Sequence, residues 1–254
     1  MAIGPRSAVF TTVLWNGKTS IADFAQHLKR LKSHAERLRI ELPSDFTTTL
    51  SNHIKLIGAS PIEELQLLNI TYDSENDEIR LNPRPLPKLR NCDMHAISMP
   101  LKKWLGDITG TKHGDWKPYY EAKSIAEQNG ADIALLIDEY CIIDGDRASV
   151  MVIDEDGVAY FSDSPQAVEG ITLDVVAPQL KAIGIPVNYA KLNERLVARC
   201  AELIAVGVGI GACNILTIDG EKVGQHQRTI SSKLLAYLAQ HYSNINNWTN
   251  LCED

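Results

Sequence analysis

Five groups of residues in this chain have types and spacings that can do chemistry. Lys112 lies in a glycine-rich stretch, GTKHGDW. A lysine on a loop is usually a solvated charge, but when burial lowers its pKa its amine attacks carbonyl carbons and forms an imine. Arg30 follows His27 by three residues in a run of helical apolar spacing. An arginine at the edge of an apolar face snorkels or pairs with a carboxylate, yet its planar fork also grips phosphate. His27, beside the apolar stripe, reads as a core-edge histidine rather than a ligand. Asp144-Gly145-Asp146 follows the apolar run Cys141-Ile142-Ile143; this is ordinary turn chemistry, or an acid held at the end of a buried strand. Gly170-Ile171-Thr172 opens a helix, either as a simple cap or as a place where backbone N–H groups meet an anion. GVGIG at 207–211 lacks the setting of a dinucleotide loop, because ACNILTI after it reads as a strand and not a helix. Its backbone N–H groups can still face an anion.

The set says more than its members. One arginine, one helix start and one glycine loop can hold a phosphate. One lysine can form an imine, and one acid can face a ring nitrogen. Those are the protein groups that a pyridoxal 5'-phosphate site requires.

The elements that must position these residues follow from the rest of the sequence. The length of 254 residues fits one large domain or two small ones. Apolar residues are 44% and charged residues 22%, which are globular proportions. Lys and Arg number 25 against 32 Asp and Glu, a net charge of -7, so no dense basic face is available for nucleic acid. The five cysteines, Cys92, Cys141, Cys200, Cys213 and Cys252, form no CxxC pair, and the seven histidines have no metal-binding spacing. No apolar run is long enough to span a bilayer, and MAIGPRSAVF lacks the pattern of a signal peptide. The expectation is a cytoplasmic protein with no metal and no membrane partner.

Residues 8–14 read as a strand and Asn16-Gly17 as a hairpin turn. A helix is predicted from Ser20 to Arg39, capped by Ser20 with Asp23 three residues on. A second is predicted over 45–57, then strands at 65–72 and 79–81. NPRPLP at 82–87 and LGDITGTKHGD at 105–115 carry loop chemistry, the latter marking a domain junction. Beyond it come a helix at 119–129 and strands at 133–138, 141–143, 147–153 and 158–161. Helices near 171–183, 193–199 and 229–241 alternate with strands at 186–190, 202–206 and 212–218. Asp156-Gly157 and Asp219-Gly220 are turns. Hairpins mixed with separated helices predict an α+β fold, with domains at 1–105 and 106–254.

In order and spacing, four segments resemble the class IV aminotransferases, the fold-type IV pyridoxal-phosphate enzymes that include branched-chain and D-amino acid aminotransferases and 4-amino-4-deoxychorismate lyase. They are VFTTVLWNGKTSIADFAQHLKRLKSHAERLRIELP with its H-x-x-R-L helix, TKHGDWKPYYEAKSIAEQNGADIALLID, EGITLDVV, and CAELIAVGVGIGACNILTIDGEKVG. The resemblance runs from about Phe10 to Gly224.

That resemblance implies a small N-terminal α/β domain, shortened at its start, and a larger C-terminal domain that binds pyridoxal 5'-phosphate. It places Lys112 as the catalytic imine lysine and Arg30 as the phosphate arginine. Ile171 and Thr172 take the phosphate contacts at the helix start, and Gly207 and Val208 those of the second phosphate loop. Relatives often carry a threonine where Val208 stands, so only the N–H is kept there. Asp144 replaces the glutamate that faces the ring nitrogen, after a one-residue shift from a gapless match at Gly145. Trp116 stands in place of a tyrosine, and Leu173 in place of an arginine. The implied activity is transamination between an amino donor and a keto acceptor by a homodimer. Elimination from aminodeoxychorismate, suggested by KHGDW and DG-x-x-x-S, and a non-catalytic relative that binds the cofactor or a partner are the alternatives.

Overall fold

The computed structural model describes residues 4–58, 64–86, 93–225 and 228–252. The first three residues of the N-terminal reading, Pro87 of the proline-rich stretch and Cys92 lie outside the described residues. In chain order the elements are β1 (Ala8–Trp15), β2 (Ser20–Ala22), α1 (Phe24–Leu38), α2 (Phe46–Gly58), β3 (Gln66–Asp73), β4 (Glu78–Pro85), β5 (Asp93–Pro100), α3 (Lys117–Gln128), β6 (Ile133–Asp138), β7 (Cys141–Gly145), β8 (Ser149–Asp154), β9 (Ala159–Ser162), α4 (Ile171–Ala182), β10 (Val187–Ala190), β11 (Leu192–Asn193), α5 (Glu194–Ala198), β12 (Cys200–Gly207), β13 (Gly211–Ile218), β14 (Glu221–Lys222), α6 (Thr229–Ser243) and β15 (Trp248–Asn250). Helices and mixed sheets make the chain α+β.

The chain divides into two units. The first holds the described residues up to 86, Leu105–Trp116 and those from His241 onward; the second holds 93–104 and Lys117–Gln240. The boundary expected at 105/106 therefore falls where the units exchange segments. The loop that carries Lys112 belongs with the first unit.

In the first unit a five-stranded sheet runs β15-β2-β1-β3-β4. β1 and β3 pair antiparallel over eight residues, from Ala8 with Asp73 to Trp15 with Gln66. α1 and α2 pack their apolar sides into a core of Val13, Trp15, Ile21, Leu31, Leu38, Leu50, Ile54 and Leu68. Each such fully buried aliphatic side chain contributes roughly 1.5–3 kcal/mol. Asn16-Gly17 turns the chain as predicted, with Gly17 at φ 74° and Asn16 Oδ1 accepting from the N–H groups of Lys18 and Ser20.

Three local expectations are corrected. The first helix starts at Phe24, not Ser20, because Ser20–Ala22 is spent on sheet hydrogen bonds between β1 and β15. Asp23 turns the chain at φ 50° and makes no side-chain cap; its carboxylate lies 2.8 Å from His241 Nε2 instead. The strand at 79–81 extends through Asn82–Pro85, which is tolerable because β4 is the sheet edge, where proline costs no internal ladder bond. β5 has no counterpart in the sequence reading: its residues are mostly half-exposed and carry no apolar run.

The second unit is built on ten described strands, ordered β10-β9-β8-β12-β13-β5-β6-β7-β11, with β14 on β13. β5 pairs parallel with both β13 and β6, while β6–β7, β8–β9, β8–β12 and β12–β13 are antiparallel. Leu135, Val152, Leu203, Ala205 and Ile215 are fully enclosed at its centre. Among the described residues Cys141, Cys200, Cys213 and Cys252 are free thiols, no three His, Cys, Asp or Glu could share a metal ion, and no helix is long and apolar enough to cross a membrane.

Candidate active site

In the first unit the chemistry gathers on one face of α1. His27, Arg30 and His34 are all buried, together with the apolar Phe24, Leu31, Ala35 and Leu38. A buried arginine needs partners. Arg30 Nη2 donates to Thr11 Oγ1 on β1 at 2.9 Å, and the same oxygen is 2.9 Å from His27 Nδ1. Burial, with the charges of Arg30 and Lys112, holds His27 well below its ordinary pKa, so its ring is neutral and the Thr11 hydroxyl can donate to Nδ1.

Lys112 is half-buried on the loop between Thr111 and His113. Its amine sits over two aromatic rings, 4.8 Å from the centre of Trp116 and 5.2 Å from that of Phe10, and those rings meet edge to face at 5.1 Å. Its carbonyl accepts from Phe10 N–H at 3.3 Å, and its own N–H donates to His34 Nδ1 at 3.1 Å. Burial, followed by the positive charges of Arg30, Lys112 and Arg37, brings the His34 pKa down to about 3. His113 is buried against Trp116, and its pKa falls to about 4 by burial. Gly114 lies so close to the N-terminal segment that a β-carbon there would be 2.2 Å from Ser7 Oγ and 2.8 Å from Gly4 O.

In the second unit the segment 144–149 is the hub. Asp144, 5% exposed, is the last residue but one of β7; its Oδ1 accepts from Gly145 N–H at 3.0 Å and its Oδ2 from Val168 N–H at 3.1 Å. Asp146 is committed elsewhere: its Oδ2 accepts from Ala134 N–H at 3.0 Å and its carboxylate pairs with Arg147. Two glycines close on the hub. A β-carbon at Gly170, the residue before α4, would be 2.4 Å from Ser149 Oγ, and one at Gly207 would be 3.2 Å from Arg147 O. The start of α4 and the β12–β13 hairpin thus lie against the segment 147–149 that follows the Asp144 strand. Ile171 and Thr172, both buried, open α4, whose first N–H groups have no acceptor within the helix. Asp144, Ser149, Gly170 and Leu173 line a cavity of about 190 Å³. A larger hollow of about 320 Å³ between Asp154 and Arg199 holds none of the candidate site residues.

Residues 8–218 match the family model of amino-transferase class IV. The chain belongs to that family. A probable branched-chain-amino-acid aminotransferase of Rickettsia bellii is 20% identical over 220 residues, covering 81% of this chain and 75% of the relative. The crystal structure of a branched-chain aminotransferase from Thermoproteus uzoniensis, determined with norvaline, superposes with a TM-score of 0.81 at 18% identity, covering 97% of this chain and 90% of that one. The structure of a putative 4-amino-4-deoxychorismate lyase superposes with a TM-score of 0.74 at 22% identity, covering 90% and 89%. The architecture is that of fold-type IV, and class IV aminotransferases depend on pyridoxal 5'-phosphate.

The donor set of this chain suits that cofactor. The first unit offers a half-buried amine and a buried guanidinium held by a hydroxyl; the second offers a carboxylate, an open helix start and glycines whose hydrogens face the hub. Val208, half-exposed in the turn of the β12–β13 hairpin, brings no hydroxyl. The sequence reading missed Thr11, His34 and Ser149. His34 had a signal, since it lies four residues beyond Arg30 and so shares its helix face.

Proposed function

We propose that this chain is a pyridoxal-phosphate-dependent aminotransferase that moves an amino group between an amino donor and a keto acceptor. The observation that carries the reading is Lys112: a lysine amine set over the rings of Phe10 and Trp116, on a backbone pinned at both N–H and carbonyl. The cofactor supplies an aldehyde that bonds amines and a ring that accepts electrons. Lys112 Nζ would hold that aldehyde and, when free, would serve as general base and acid. Arg30 binds phosphate through its guanidinium, and Ile171, Thr172, Gly207 and Val208 do so through backbone N–H groups, Thr172 adding its hydroxyl. Asp144 would hold the ring nitrogen in its protonated form. Asp144 is preferred to Asp146 because the Asp146 charge is already paired with Arg147, whereas Asp144, held by the backbone N–H groups of Gly145 and Val168, lines a cavity.

Elimination on aminodeoxychorismate is the second reading, favoured by the likeness to the putative lyase and by the KHGDW segment.

An absorbance spectrum of purified protein with pyridoxal 5'-phosphate, followed by an amino-donor screen, tests these readings. Near-ultraviolet or visible absorbance that disappears in Lys112→Ala, with keto product formed only by the wild type, supports transamination. Pyruvate release from aminodeoxychorismate without amino transfer favours the lyase. Cofactor binding without any turnover makes the chain a holder, and a Lys112→Ala variant that keeps absorbance and turnover overturns the assignment of Lys112.

A further inference from the structure

We propose that His34 is a positioning residue for Lys112: its ring Nδ1, 3.1 Å from the Lys112 backbone nitrogen, fixes the peptide from which the reactive amine projects. The inference rests on the reading of Lys112 as the cofactor's lysine.

The Lys112 loop has little regular structure of its own, so something must hold it. His34 is 2% exposed and stands on a fifteen-residue helix, a rigid platform for a single hydrogen bond. On the other side of the same residue, Phe10 N–H of β1 donates to the Lys112 carbonyl. A helix and a strand therefore grip one residue from both sides. Three residues after His34, Arg37 donates to the carbonyl of Thr109 in the same loop. Arg30, His34 and Arg37, at i, i+4 and i+7, thus share one face of α1. One helix carries both the phosphate arginine and the clamp on the lysine loop.

The clamp works only with a neutral ring. A protonated imidazole carries hydrogen on both nitrogens and cannot accept an N–H. The charged or titratable groups that act on His34 are Arg30, Lys112, Arg37 and His113, and with burial they all keep the proton off. The His34 ring is consequently a fixed acceptor rather than an acid or base. Its loss would leave the Lys112 amide without its acceptor and let the amine wander from its position over the rings. A displacement of that kind slows a reaction that depends on placement by about tenfold or more.

The test follows attachment and not turnover. Apoprotein is mixed with pyridoxal 5'-phosphate, the absorbance rise is timed across pH, and the product is reduced with borohydride and mapped by peptide mass. Wild type must carry the added mass on the Lys112 peptide; label elsewhere, or none, overturns the Lys112 reading and this inference with it. With wild type labelled at Lys112, His34→Leu is expected to attach the cofactor at least about tenfold more slowly and to show a shifted pH midpoint of the absorbance. His34→Asn, whose Oδ1 takes the place of Nδ1, is expected to restore both. A His34→Leu variant that attaches at the wild-type rate with the same midpoint overturns the inference and leaves the Lys112 reading standing. If circular dichroism shows His34→Leu unfolded, His34→Asn is compared with His34→Gln, whose acceptor lies one carbon further out. Asn fast and Gln slow supports the clamp; equal rates overturn it.

Discussion

The Thr11 hydroxyl accepts from Arg30 Nη2 at 2.9 Å, so the orientation of a buried guanidinium on α1 is set by a side chain on β1. His27 Nδ1 lies 2.9 Å from the same oxygen. Thr11→Val keeps the shape and removes the hydroxyl. The fold should survive, because valine fills the same volume, while Arg30 and His27 lose the hydroxyl they share. Cofactor affinity, read by absorbance titration, should drop by roughly five- to tenfold, about 1–1.4 kcal/mol, the net scale of one hydrogen bond. Unchanged affinity would mean that Arg30 does not need Thr11 to hold phosphate.

Asp144 and Asp146 are two residues apart, and strand parity cannot separate them. Their partners can. Asp146 is spent on Ala134 N–H and Arg147, and burial pushes its pKa upward. Asp146→Asn should therefore cost stability, about 1–3 kcal/mol in a urea titration, with little change in kcat. Asp144→Asn should cut kcat by about a hundredfold or more, the usual scale for losing a positioned proton holder. The opposite pattern would place Asp146 at the ring nitrogen.

Much of this was legible in the sequence for a physical reason. Turns and helix periods are local: Asn16-Gly17, the α1 stripe and the start of α4 at Gly170 each follow from neighbouring residues. What escaped was set by distant partners. Ser20–Ala22 looks like a helix start until β15, more than two hundred residues later, claims its backbone. β5 is a strand because β13 and β6 flank it, not because Asp93–Pro100 insists on it. Site chemistry behaved likewise: Lys112 and Arg30 stood out through family order, but the His34 bond to Lys112 spans 78 positions and has no local mark.

A homodimer is expected from the family resemblance. The apolar strands at 147–153 and 202–218 do not themselves require one, because Met151, Val152, Leu203 and Ile204 are enclosed by the chain's own second unit. Light scattering across a dilution series should give twice the 28.1 kDa chain mass, with cofactor retention falling as the dimer dissociates. A stable monomer that holds its full cofactor would remove the partner from any account of the site.

Acid should unfold this protein through its histidines before its carboxylates. His27, His34 and His113 are buried and neutral, with pKa values of about 3 for His34 and about 4 for His113, and His27 well below its ordinary value. In the unfolded chain each titrates near 6.5. Below that pH the unfolded state binds more protons than the folded one, so stability falls as pH is lowered. The loss begins near pH 6.5 and continues down through the folded values, at up to about 1.4 kcal/mol per pH unit for each histidine. Asp146 acts in the opposite sense, because its folded pKa is raised above 3.8, and it offsets part of the loss at the acid end of the window. Urea midpoints should thus decline between pH 6.5 and 4.5. His34→Asn removes one of three contributors and should reduce that slope by about a third. A midpoint that is flat or rises as pH falls through this range would show that the three rings take up protons in the folded protein, and the neutral acceptor required at Lys112 would be lost with them.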